Sequence, residues 1–300
     1  MASRLEALFR RYSVDLERYA PVLRGQFGCP ICLNAIHPVP DLGTVVAEEH
    51  IVPQALGGRM VTLTCRSCNN ASGSRLESHL VQRVLVDSRK RPVKTRVGIG
   101  GSVHRAEMFL PETREAPIKL TVVGRRSDPR QIAEAQRHLR EGKSDINLQM
   151  NFGYIESRTV VGLLRSAYLL MFRTFGYSYV LDRSAAPIRA QILNPTQETS
   201  VLNGVAWRLP EPVPSGNWVT VIANDHSKAS FVVLVQLSNE PIHVGGIALP
   251  PPGDDGSELY SQVRSAPWRK PMRLRPVPTG GNHFLHFAGT WKYLVADDAT

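Results

Sequence analysis

Apolar residues recur along this chain in two rhythms, one helical and one extended. In residues 3–24, Leu5, Leu8, Phe9, Tyr12, Leu16 and Tyr19 return at helical spacing with Arg and Glu between them. That spacing predicts an amphipathic helix whose aromatic stripe faces a core. Leu76, Leu80, Val84 and Leu85 repeat the pattern after Cys68. Residues 128–142 read as a capped helix, with Asp128 at the N-cap, Pro129 next and Gly142 just past the end. Residues 155–175 give the most apolar helix, carrying Val160, Val161, Leu163, Leu164, Ala167, Leu170, Met171 and Phe172. Arg158, Arg165 and Arg173 interrupt it, so it reads as a buried core helix that stops at Gly176. The extended rhythm marks Thr44–Ala47, Met60–Thr64, Ile118–Val123, Val219–Ala223 and Phe231–Leu237 as short strands. The last two flank N-D-H-S-K and predict a hairpin. Gly98–Gly101 reads as a turn, since it lacks the Lys-Ser/Thr ending of a phosphate loop. No internal repeat is present, and the mixed order of elements predicts an α+β protein.

Composition adds size, charge and compartment. The 300 residues exceed one typical domain. The expected divisions are an amphipathic helix over 1–26, a central domain over 27–95 and an α+β region of unassigned role over 96–300. Lys and Arg outnumber Asp and Glu by 36 to 26, a net +10 that favours a polyanionic partner. Nucleic acid is the first such partner and an anionic membrane surface the second. No apolar run is long enough to span a bilayer, so no membrane insertion is expected. The opening M-A-S-R-L-E-A-L-F-R-R-Y has no apolar core, so no signal peptide is expected.

The chemistry concentrates between Cys29 and Glu77. All four cysteines lie here, as C-P-I-C (Cys29, Cys32) and C-R-S-C (Cys65, Cys68). Two residues between paired cysteines let each pair grip one edge of a tetrahedron, which points to structural zinc. A disulfide, or a redox pair in a thioredoxin-like βαβ setting, fits the spacing less well. With the cysteines on metal, a reducing cytoplasm is the expected compartment. The segment between the pairs holds E-E-H-I-V-P (Glu48–Pro53), and Asn69 follows the last cysteine. The expected order is knuckle, strand, loop, strand, knuckle, helix. That layout puts Glu49, His50 and the start of a helix on one side of a small frame. A histidine suits proton abstraction near neutral pH. Carboxylate and amide oxygens suit Mg²⁺.

On C-P-I-C, E-E-H-I-V-P, L-G-G and C-R-S-C-N-N, residues 27–87 resemble the HNH endonuclease family, in a bacterial subgroup with Glu-His where most members have Asp-His. The helix end A-Y-L-L-M-F-R-T-F-G-Y (Ala167–Tyr177) is similar to a segment that accompanies this subgroup. The resemblance implies a zinc-bound ββα-metal (treble-clef) finger with a larger mixed α/β C-terminal region. It implies a phosphodiester hydrolase acting on DNA, with RNA left open. His50 is implied as the general base activating water, and Glu49 and Asn69 as ligands of a catalytic Mg²⁺ or Mn²⁺ at the 3′ leaving oxygen. Asn70 is the substitute if the helix starts one residue later. Glu77, seven positions on, shares nearly its face as a further ligand or supporting partner. One departure stands out: the family's middle Asn, which pins the loop carrying the His, has no counterpart in Ile51–Thr64. Phosphate contacts are expected from Arg59, Arg66, Arg89, Lys90 and Arg91, and more distantly from Arg269–Arg275, in the W-R-K-P-M-R-L-R stretch that begins at Trp268. His283 and His286 are read as ordinary residues, not a second metal site. The alternative function is a non-catalytic treble-clef module that binds nucleic acid or a protein. Oligomeric state is left open.

Overall fold

The structure, a computed structural model, describes residues 3–99, 102–111, 113, 115–123, 128–142, 146–209, 216–222, 230–239, 242–265, 274–277 and 284–290. It is a mixed α+β protein of two compact units, Met1–Leu80 with Glu156–Thr300 and Val81–Ile155. These divisions fall elsewhere than at 26/27 and 95/96. The first helix and the cysteine-bearing finger share a core with the second half of the chain.

Helix α1 (Arg4–Tyr19) opens on a capping box between Ser3 and Glu6 and buries Phe9, Tyr12 and Leu16, as the stripe predicts. Strands β1 (Phe27–Gly28) and β2 (Ala35–Ile36) flank the first cysteine pair and pair antiparallel. Strands β3 (Val46–His50) and β4 (Val61–Cys65) form the second ribbon, with Val46 opposite Cys65 and His50 opposite Val61. One helical run follows: α2 (Arg66–Ser72), a π-helical stretch (Gly73–Glu77) and α3 (Ser78–Asp87). The order is the one expected from the motif.

In the Val81–Ile155 unit, α3 stops in a Schellman motif. Arg89 takes φ +57, its N–H reaches the Val86 carbonyl at 3.0 Å and the Lys90 N–H reaches Leu85 at 2.8 Å. The basic stretch over 88–96 therefore begins as a helix stop, and strand β5 (Val93–Ile99) starts inside it. Strands β6 (Ser102–Met108) and β7 (Leu120–Val122), helix α4 (Pro129–Arg140) and strand β8 (Asn147–Asn151) complete the unit. The sheet is antiparallel in the order β7-β6-β5-β8. Ile99 lies opposite Ser102, as a turn at Gly98–Gly101 requires; Gly100 and Gly101 are outside the described residues. Asp128 caps α4 by accepting the Arg130 N–H, with Pro129 in the first turn.

The second half of the larger unit is built on α5 (Glu156–Phe175). Then come α6 (Tyr177–Val180), α7 (Ala186–Leu193), β9 (Val205–Ala206), β10 (Trp218–Ile222), β11 (Ser230–Asn239), β12 (Ile242–Leu249), α8 (Ser257–Ser265) and β13 (Leu274–Pro276). The strands form an antiparallel sheet in the order β13-β10-β11-β12-β9. β10 and β11 pair as the hairpin reading expects, and N-D-H-S-K lies outside the described residues. Helix α5 is the spine of this unit. At one end Phe175 meets Phe231 of β11 edge-on at 5.8 Å; on another side Phe172 stacks on Tyr12 of α1 at 4.4 Å. Gly162 sets its approach to the helical run after the cysteines: a Cβ there would come within 3.3 Å of the Leu80 Cβ. Among the described residues no helix is long and apolar enough to cross a membrane.

Candidate metal centre and active site

The two knuckles bring four thiols together. The Sγ atoms of Cys29, Cys32, Cys65 and Cys68 all lie within 4.8 Å of one another, and the Cys32–Cys65 pair is 3.8 Å apart. A tetrahedron with Zn–S bonds of about 2.3 Å has an S–S edge of roughly 3.8 Å. Main-chain N–H groups already point at the sulfurs: Cys65 N–H toward Cys29 Sγ at 3.4 Å, and Cys68 N–H toward Cys65 Sγ at 3.3 Å. Such donors stabilise thiolates. Packed this closely, the thiols do not ionise independently. Cys65 is pushed far down, chiefly by the thiol hydrogen bond from Cys29. Cys29 is pushed up, by hydrogen bonds to its neighbours and by burial. Spacing, donor type and the N–H groups fit a zinc ion.

His50 closes β3 and is half-buried. Among the described residues no side chain hydrogen-bonds its ring. The loop after it is closed by its own backbone. Ile51 N–H bonds Met60, while Leu56 and Gly58 N–H both bond Pro53. Ile51, Val52 and Pro53 are buried. Gly57 takes φ +84, and a Cβ on Gly58 would run into the Val52 carbonyl. The loop after His50 is thus held by its own backbone, with no Asn side chain in Ile51–Thr64 to contribute.

Glu49, one residue earlier, faces the opposite way. It is 3% exposed. Its Oε1 lies 2.6 Å from Nη2 of Arg165 in α5, and the Thr64 hydroxyl approaches its Oε2 at 3.4 Å. Nη1 of the same arginine donates to Glu77 Oε1 at 2.9 Å. Burial pushes the Glu49 carboxyl up to about 7 against the pull of Arg165, and the neighbouring Glu77 adds to the rise. Asn69 Nδ2 donates to the Glu48 carbonyl at 3.2 Å, tying α2 to β3. Asn70 is exposed. The π-helical residues between Asn70 and Glu77 break the phase that would put the two on one face, and Glu77 turns to Arg165 instead. A divalent ion needs several free oxygens and keeps its waters. Both oxygens of Glu49 are engaged inside the core, so these residues as arranged do not fit a divalent ion held by Glu49.

Arg165 was read from sequence only as an interruption in an apolar helix. A fixed charge amid Leu163, Leu164, Ala167 and Leu170 was the available signal, because a buried guanidinium requires a buried carboxylate. The other two arginines face the finger as well. Arg173 donates to the Val61 carbonyl at 2.6 Å, and Arg158 Nη1 lies 3.4 Å from His79 Nε2. Tyr168 donates to the Pro30 carbonyl in the first knuckle at 2.6 Å. The Tyr177 hydroxyl accepts the Gly28 N–H at 2.9 Å and also donates to the Gly28 carbonyl.

Of the expected phosphate contacts, Arg59 and Arg66 are exposed in the larger unit, and Arg66 bonds the Gly43 carbonyl. Arg89, Lys90 and Arg91 are exposed in the Val81–Ile155 unit, where Arg91 also bonds Gln82 at 2.8 Å. Residues 268–273 and His283 lie outside the described residues.

Residues 29–85 match the sequence model of a family described as HNH endonuclease. The match takes in the four-thiol cluster, His50 and most of the helical run, and stops well short of α5. No curated protein and no solved structure matches the chain.

Proposed function

We propose that residues 29–85, braced by α1 and α5, form a nuclease that hydrolyses phosphodiester bonds in nucleic acid, DNA first and RNA second. The four cysteines would hold zinc as the structural centre of a treble-clef finger. The observation that carries the reading is His50 itself. It sits half-exposed at the end of a strand paired with the one that ends at Cys65, inside a segment matching a nuclease family. In this reading the His50 ring takes a proton from the water that attacks phosphorus. Arg59 supplies exposed charge on the same finger for phosphate. The resemblance adds Mg²⁺ or Mn²⁺, but no step here passes through Glu49.

The test is nicking of supercoiled plasmid, and of single-stranded RNA, by the zinc-loaded chain with Mg²⁺ and then Mn²⁺. The expected result is cleavage that falls by about 100-fold or more in His50→Ala at equal zinc content. Equal cleavage by both proteins would remove His50 from the mechanism. The second reading, a zinc module that binds without cutting, is favoured by the engaged Glu49 and by a His50 ring that no side chain among the described residues hydrogen-bonds. Tight, salt-dependent DNA binding with no cleavage in either protein would establish it.

A further inference from the structure

We infer that Arg165 is the built-in cation of this site: it, and not a divalent metal, neutralises Glu49 and Glu77, and through them it positions the strand end that carries His50. The inference rests on the nuclease reading only for its catalytic half.

Four observations converge. Arg165 is 1% exposed and ranks among the largest fully buried side chains described. Its two terminal nitrogens reach two different carboxylates, 2.6 Å to Glu49 and 2.9 Å to Glu77. A planar fork spans such a pair, and a lysine ammonium on a flexible stem does not. The helix carrying Glu77 turns π-helical over Gly73–Glu77, a rare geometry that recurs at functional sites. Here it ends on the residue that meets the arginine. Finally, Gly162, one turn before Arg165, permits the close approach of α5 to Leu76 and Leu80 that lets the fork reach.

Glu49 is joined to His50 by one peptide bond. Fixing the Glu49 carboxylate fixes the last residues of β3, and the ring that follows inherits that position. Arg165 touches no reacting atom in this scheme; it is a positioning residue. Because α5 lies beyond residues 29–85, the matched segment is incomplete by itself.

The experiment uses the full zinc-loaded chain and its Glu49→Gln and Arg165→Lys variants. Each is checked for zinc content and far-UV spectrum, then titrated with Mn²⁺ by calorimetry and assayed for nicking. Mn²⁺ affinity in Glu49→Gln should stay within twofold of the parent, including the case where neither binds. A tenfold or greater weakening would overturn the inference and return Glu49 to the metal. In the nicking assay both variants should lose tenfold or more in kcat with KM unchanged. Full kcat in Arg165→Lys would overturn the positioning half. If Arg165→Lys does not fold, the Glu49→Gln titration and its kcat-against-KM split still decide. If the parent chain cuts nothing, the nuclease reading fails separately, and the Mn²⁺ titration alone rules on Arg165 as the cation.

Discussion

Two anionic clusters hold the finger, and they differ in what supplies the positive charge. In one, four thiols converge within 4.8 Å of one another and fit a zinc ion. In the other, two carboxylates converge on a guanidinium donated by a helix outside the matched segment. The first can be assembled and dismantled by an exchangeable ion. The second is welded into the covalent chain. The first waits on an ion from outside the chain, whereas Arg165 is one of several side chains, with Tyr168 and Arg173, by which α5 already grips the finger.

The largest break in this comparison comes from metal removal. A strong chelator, or Cys65→Ser, should unfold the finger, because structural zinc contributes roughly 10–16 kcal/mol of apparent folding energy in small fingers. Zinc content and a thermal melt followed in parallel check it. Next is Arg165→Met, which leaves the buried Glu49 and the half-buried Glu77 without their partner. It should cost about 3–5 kcal/mol in denaturant unfolding while leaving zinc content unchanged. Loss of zinc in this variant would show that the two clusters are not separable.

Acidity sharpens the same contrast. The Glu49 carboxyl is raised to about 7 from 4.5. The folded state therefore binds more protons than the unfolded state between those values. That contribution to stability is full below about 4.5 and is lost as pH rises through about 7. Glu49→Gln should flatten this slope in urea melts taken across that range. Gly58→Ala is the uncharged control. Its methyl would collide with the Val52 carbonyl, lowering stability by ~2 kcal/mol with the pH slope intact. The smallest effect is Tyr177→Phe, which removes the hydroxyl bracketing Gly28 at the first knuckle and should cost about 1–2 kcal/mol by the same melt.

The two clusters also differ in how far the sequence discloses them. Cys29, Cys32, Cys65 and Cys68 announce themselves because each pair is local and its spacing has few other uses. The place of His50, at a strand end between the knuckles, was legible for the same reason. The helices α1, α4 and α5 followed from period and caps. The role of Glu49 was not legible. The resemblance implied a metal ligand, while the partner that engages it lies far along the chain, and no short-range pattern links the two. Glu77 was placed on the Asn70 face by assuming an unbroken helix, which the π-helical stretch interrupts. Arg89 hid a helix stop, because the αL position there holds an arginine where glycine is usual. The sequence boundary near residue 95 marked a change of motif, whereas packing joins the finger to α5.

The separation of 88 positions between Glu77 and Arg165 also sets an order of events during synthesis. At roughly 5–20 residues per second, a ribosome needs about 4–18 s to add the arginine after the glutamate. Throughout that interval the nascent finger can load zinc, yet its two acids have no fork to meet. The ion-pair cluster would therefore form late, once α5 has emerged and docked, and a chain interrupted before that point would carry the four clustered thiols beside two acids with no guanidinium to meet.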